Sequence, residues 1–185
     1  MIFQNPDNQI VHDIVEDDVA FGPENLGVPR EELRRRVDDA LLSVGMSEAA
    51  TVSPMRLSGG QKARVAIAGV LAMQPKCMVL DESTAMLDPA GREEVLAEVR
   101  RLNRESGLTV IWITHFPEEV VGADAVFVMD DGELVMTGTP REVFAEADRL
   151  RGLGLAVPET TAIAAELGLP VALTVEELID GIIAK

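Results

Sequence analysis

Cys77-Met78-Val79-Leu80-Asp81-Glu82 is a short, unbroken apolar run closed by two adjacent carboxylates. A run of that length without polar alternation suits a strand buried on both faces, the usual condition of a parallel sheet. In open parallel sheets, ligands collect at the carboxyl ends of the strands. Asp81 and Glu82 therefore stand where chemistry gathers. An aspartate at such a place can hold a hydrated Mg²⁺ on a nucleotide. Glu82, pointing elsewhere, can orient or deprotonate a water. Taken alone, the same pair also fits the start of a solvated loop.

Upstream, Leu57-Ser58-Gly59-Gly60-Gln61 puts a hydroxyl and two glycines at a helix start. Free amides, the positive end of the helix dipole and close backbone approach together make an anion site. By itself the segment also reads as a serine-capped helix, running to Met73 and ending before Pro75. Downstream, a helix over about Ala90 to Glu105 leads to the apolar strand Thr109-Val110-Ile111-Trp112-Ile113, then Thr114 and His115. A histidine at a strand end can hydrogen-bond a transferring phosphate, although a lone one more commonly has a structural role. His12 has no such context.

The outer segments extend the alternation. Met1-Ile2-Phe3 reads as a strand end, broken by the turn and amide residues Gln4-Asn5-Pro6-Asp7-Asn8-Gln9. Val11 to Phe21 is closed by Gly22-Pro23. A helix opens at Pro29-Arg30-Glu31-Glu32, carries Leu33, Val37, Ala40, Leu41 and Val44 at helical spacing, and stops at Gly45. Ala125 to Met129 and Glu133 to Thr137 flank Asp131-Gly132, a hairpin signal. Strands alternating with helices predict an α/β domain with a mainly parallel sheet. From Pro140, three short helices are expected over Arg141 to Leu150, Pro158 to Leu167 and Val175 to Ile183.

Composition narrows the function. With 47% apolar and 26% charged residues the chain can pack a core, and with 3% aromatics that core is aliphatic. A net charge of −16 argues against nucleic acid as a partner, because neutralising phosphates needs clustered Lys and Arg. The one cysteine, Cys77, excludes an intrachain disulfide and fits a reducing compartment. No signal peptide is expected, and the 185 residues hold no apolar run of the roughly 18 residues that a membrane span needs. At a membrane, the expectation is a peripheral subunit.

The order decides more than the parts. Signature-like loop, helix, strand with Asp81-Glu82, then Ser83-Thr84-Ala85-Met86-Leu87-Asp88, helix, and strand with His115 resembles the ATP-binding cassette (ABC) ATPases. The fold so implied is a P-loop NTPase-like α/β domain over 1–139, with a small C-terminal helical extension over 140–185. By this resemblance Ser58, Gly59, Gly60 and Gln61 belong to the signature, which binds a nucleotide held by a partner subunit. Asp81 and Gln4 are Mg²⁺ residues. Glu82 is the general base, Gln4 the Q-loop glutamine and His115 the switch histidine. Asp88 is the D-loop residue at the subunit interface. The cofactors implied are ATP and Mg²⁺.

A nearer likeness lies in Phe3-Gln4-Asn5-Pro6-Asp7-Asn8-Gln9 and in Glu16-Asp17-Asp18-Val19-Ala20-Phe21-Gly22-Pro23-Glu24-Asn25. Both look like the ATPase (A component) of energy-coupling factor (ECF) transporters, importers of vitamins or transition-metal ions. Gly154-Leu155-Ala156-Val157-Pro158 and Leu173-Thr174-Val175-Glu176-Glu177-Leu178 are similar to that family's C-terminal extension, which helps pair two ATPase subunits. Met86 stands where many ABC proteins have glycine. The partners implied are a second ATPase subunit, a transmembrane coupling (T) component and a substrate-binding (S) component. The place implied is the cytoplasmic face of the cell membrane.

One family part is absent: Gly-x-x-x-x-Gly-Lys-Ser/Thr does not occur in the 185 residues. The expectation is an N-terminally truncated member, with Met1 an internal methionine, negligible ATP turnover by these residues alone, and poor solubility from uncovered apolar faces. A non-catalytic subunit that lends only its signature face to a full-length partner is a competing reading. A non-transport ABC ATPase is another, which would favour a coiled-coil insertion or a basic surface.

Overall fold

The computed structural model describes residues Met1–Lys185, which divide into two compact units, Met1–Ile113 and Thr114–Lys185. The first contains helices α1 (Val15–Asn25), α2 (Arg30–Ser43) and α3 (Gly59–Ala72), strand β1 (Cys77–Asp81), helix α4 (Pro89–Ser106) and strand β2 (Thr109–Ile113). Strands β1 and β2 are parallel, with Met78 opposite Val110 and Leu80 opposite Trp112. Ile2 pairs on the other edge of β1: its N–H donates to the Val79 carbonyl at 2.8 Å, and Asp81 N–H donates to the Ile2 carbonyl at 2.9 Å. The chain's opening is thus a strand position, as its sequence predicts, and β1 lies in the middle.

Met78 and Leu80 are fully buried, in one core with Ala63 and Ile67 of α3 and Val95, Val99 and Leu102 of α4. The other face is different. Ile111 is 51% exposed and Ile113 46%, and Phe3 is exposed as well. The expectation of a strand region buried on both faces is corrected here. The helices of this unit bring their aliphatic side chains to one face, and the remaining apolar positions meet solvent.

Helix α1 also departs from expectation, because it runs through Gly22-Pro23 to Asn25. Packing overrides local propensity. A Cβ on Gly22 would lie 2.8 Å from Met73 Sδ, so the glycine opens the space in which α1 meets the end of α3. Val15, Val19 and Pro23 are the buried positions of α1.

The second unit contains helix α5 (Pro117–Val120), strands β3 (Val126–Asp130) and β4 (Glu133–Gly138), and helices α6 (Pro140–Ala145), α7 (Ala147–Gly152), α8 (Glu159–Glu166) and α9 (Val175–Ile183). Strands β3 and β4 form the expected hairpin. Asp131 and Gly132 both have left-handed φ, 44° and 82°, as a type I′ turn requires. The hairpin packs with the helical tail: Val128 shares a core with Val143, Phe144 and Leu150. The hairpin thus lies in the same compact unit as the tail helices, Thr114–Lys185. The first expected helix of the tail is two, α6 and α7, interrupted at Glu146 with ψ 42°.

Thr139 caps α6 in a reciprocal box, Glu142 N–H donating to Thr139 Oγ1 and Thr139 N–H to Glu142 Oε2. The backbone N–H of Thr139, and then its hydroxyl, hold the Glu142 carboxyl below the ordinary value of 4.5. A depressed carboxyl stabilises the folded state above its unfolded value and loses that contribution as pH falls through the folded one. Thr139→Ala is expected to cost about 1 kcal/mol at pH 7. The part of that difference carried by the Thr139 hydroxyl on the Glu142 carboxylate should disappear at an acidic pH below the carboxyl's lowered folded value, where Glu142 is protonated. Urea unfolding at the two pH values checks it; a pH-independent difference would remove Glu142 from the argument.

Candidate nucleotide site

At the carboxyl end of β1, Asp81 is the last strand residue and Glu82 turns the chain. Glu82 has φ 46°, a left-handed conformation uncommon outside glycine. Its N–H donates to the Ile113 carbonyl at 2.9 Å, which anchors the turn to the end of β2. The Ile2 pairing delivers Gln4 to the same place, and Gln4 Nε2 donates to Glu82 Oε2 at 2.8 Å across 78 residues of sequence. Two adjacent half-buried carboxylates and a carboxamide thus share one strand end.

The loop that carries Gln4 is braced by its own side chains. Asn5 Oδ1 accepts from Asp7 N–H at 2.9 Å, capping the turn Pro6–Asn8. Gln9 Oε1 accepts from Phe3 N–H at 3.1 Å. Asp7 pairs with Lys62 of α3 at 2.6 Å. Sequence reasoning missed this ion pair, whose members lie 55 positions apart with no spacing rule to join them.

Helix α3 begins at Gly59 behind a capping box. Ser58 N–H donates to Gln61 Oε1 at 2.9 Å, and Gln61 N–H to Ser58 Oγ at 3.3 Å. The box uses the Gln61 amide and leaves those of Gly59 and Gly60 among the orphan donors of the first turn. A Cβ on Gly59 would lie 3.4 Å from Leu87 Cδ2, and one on Gly60 3.6 Å from Gly91 Cα. Both are ordinary contacts, so packing within the chain does not demand glycine at either position. Ser58 and Gly59 are exposed.

Asp88 is exposed and caps α4, its Oδ1 accepting from Gly91 N–H at 2.8 Å. Ser83 and Thr84, between Glu82 and Asp88, are buried. His115 belongs to the second unit; it is exposed, its ring 4.2 Å from that of Phe116. No three His, Cys, Asp or Glu side chains converge where they could hold a metal ion.

Comparison with known proteins bears on this geometry. The ABC transporter family model matches residues 1–85. The energy-coupling factor transporter ATP-binding protein EcfA1 of Caldanaerobacter subterraneus subsp. tengcongensis is 59% identical, over 97% of this chain and 67% of its own length. The chain belongs to the ECF transporter ATP-binding proteins.

EcfA1 of Symbiobacterium thermophilum is 61% identical to this ECF ATP-binding protein, over 98% of the chain and 66% of the relative. A solved structure, cbiO1 from Clostridium perfringens, described as part of the ABC transporter complex cbiONQ, matches with a TM-score of 0.75 and 42% identity. The match covers 91% of this chain and 66% of that one. The chain thus spans about two thirds of the length of these relatives. The ABC ATPase fold expected from the sequence is the one found, with a small parallel sheet. No helix is long and apolar enough to cross a membrane.

Proposed function

We propose that this ECF ATP-binding protein binds and hydrolyses ATP in an ECF-type importer, driving uptake of a vitamin or transition-metal ion. The observation that carries the proposal is the Gln4–Glu82 contact at the end of β1, which holds a carboxylate beside a carboxamide in a strained turn. Strain of this kind persists where surrounding structure fixes it and clusters at functional sites. Mg²⁺-ATP supplies the transferable phosphoryl group and the cation that offsets its charge.

The chain's own residues then divide the work. Glu82 accepts the proton of the attacking water, with Gln4 orienting its carboxylate. Asp81 and the Gln4 carbonyl oxygen suit a hard cation. His115 donates to the terminal phosphate. The Gly59 and Gly60 amides, with Ser58 and Gln61 shaping the helix start, bind the nucleotide held by the second ATPase subunit. Asp88 lies at the interface between the subunits.

The partners are that second subunit, a transmembrane coupling component and a substrate-binding component, at the cytoplasmic face of the membrane. Exposed Val11, Ile14, Phe21 and Leu26 support docking of the membrane component around Gln4 to Glu24. The 140–185 extension pairs the ATPase subunits. An exposed stripe on α9, Val175, Ile179, Ile182 and Ile183, supports this. Ile179→Glu with Ile182→Glu is expected to convert paired subunits to single ones in light scattering with an unchanged circular dichroism spectrum. Undiminished pairing would assign the contact elsewhere.

A second reading, in which the chain lends only its signature face to a full-length partner, is favoured by the exposed Ser58 and Gly59 at the start of α3. Reconstituted transporter in vesicles tests the proposal: solute uptake should require ATP and stop with Glu82→Gln. Uptake indifferent to Glu82→Gln but lost with Gly60→Asp would favour the second reading.

A further inference from the structure

Gly91 sits in the first turn of α4, where the helix that follows Asp88 touches the start of α3. Three observations converge on it. Its N–H donates to Asp88 Oδ1 at 2.8 Å. A Cβ in its place would lie 2.8 Å from that same oxygen, a separation that real Cβ atoms do not show. The same Cβ would also lie 3.8 Å from Leu87 Cβ and 3.9 Å from Gly60 Cα. Along the same seam, Arg64 of α3 pairs with Glu94 of α4 at 3.3 Å.

A methyl at position 91 would therefore push the Asp88 carboxylate off its present position. The Asp88 carboxylate is the movable partner, because it is exposed and at the end of a rotatable bond, whereas Gly60 is backbone. With Gly91 in place, Oδ1 is committed to the helix start, which fixes the direction in which the carboxylate faces outward. Gly60 lies against the same corner, so the two elements assigned above to the partner subunit share one support.

We propose that Gly91 is a positioning residue of the nucleotide site: its N–H and its missing side chain aim Asp88 and hold it against the signature end of α3. The inference rests on the proposed function and adds to it a residue that touches neither nucleotide nor partner.

Gly91→Ala, Asp88→Ala and the double variant, in the assembled transporter, test it. Gly69→Ala, on the same helix as the signature, is the control, since its Cβ would meet only Val19 Cα of α1 at 4.0 Å. Gly91→Ala is expected to lower kcat/KM about tenfold, the size of a misplaced interface contact, while Gly69→Ala leaves it unchanged. If Gly91 acts through Asp88, adding Gly91→Ala to Asp88→Ala produces no further loss. Losses that multiply, or a Gly91→Ala protein within twofold of wild type, overturn the proposal. Should Gly91→Ala not fold, removal of the clashing carboxylate in the double variant should restore folding; continued failure to fold overturns it too.

Failure of the functional reading shows separately, as equal turnover in wild type and Glu82→Gln. Amide hydrogen exchange then decides the positioning claim. Exchange at residue 91 should accelerate alike in Asp88→Ala and Gly91→Ala, and unchanged exchange counts against it.

Discussion

Glu82→Gln is expected to lower ATP turnover of the assembled transporter about 10²–10⁴-fold, the usual contribution of a positioned general base. The substitution keeps size and hydrogen-bonding shape, so the turn at φ 46° and the Gln4 partner at 2.8 Å can both be retained. What it removes is the capacity to take up a proton. Nucleotide binding should therefore survive while phosphate release fails. Equilibrium binding of labelled ATP, beside steady-state phosphate release, separates the two effects. Turnover above about a tenth of wild type would place the base elsewhere, because a loss that small is below what removing a general base causes. Loss of binding together with turnover would instead point to a structural role for the Glu82 turn.

Much of this architecture is legible in the sequence, and the limits have physical causes. Contiguous signals hold: the apolar run into Asp81, the S-x-x-Q box at Ser58 and the Asp131-Gly132 turn each encode their geometry within a few residues. Signals that depend on distant partners do not. Gly22-Pro23 reads as a helix stop until Met73 is seen filling the space beside Gly22. That Val128 of the hairpin packs with Val143 and Phe144 of the tail is likewise not encoded in any contiguous stretch.

The candidate site follows the same division. Ser58, Gly59 and Gly60 announce an anion-binding helix start locally, while Gln4 and Glu82 are 78 residues apart and could be paired only through family resemblance. The order of motifs identified the family, since several weak signals in one fixed sequence are far more specific than any of them alone. Gly91 had no sequence signal. Its role depends on the approach of two helices that only the folded chain brings together.

Gly60→Asp should reduce turnover by about 10²-fold, the scale of losing a preorganised donor to a developing oxyanion, without unfolding the chain. The two halves of that prediction rest on different observations. Stability should be little changed, because a Cβ at position 60 meets Gly91 Cα at 3.6 Å, an ordinary contact, and an aspartate in the first turn of a helix favours the dipole. Activity should collapse for electrostatic and steric reasons together. The added carboxylate stands where the Gly59 and Gly60 amides would meet phosphate oxygens, and it blocks the approach that the missing side chains allow. Under the proposed in-trans role of the signature, the loss should appear in the site formed with an unmodified partner. A mixed pair with Gly60→Asp in one member tests this. Hydrolysis should fail in the composite site facing the variant signature, even though the nucleotide there is held by wild-type residues. Wild-type turnover in a folded Gly60→Asp protein would mean that the open space at Gly59 and Gly60 has another purpose, and would remove the in-trans assignment of the signature.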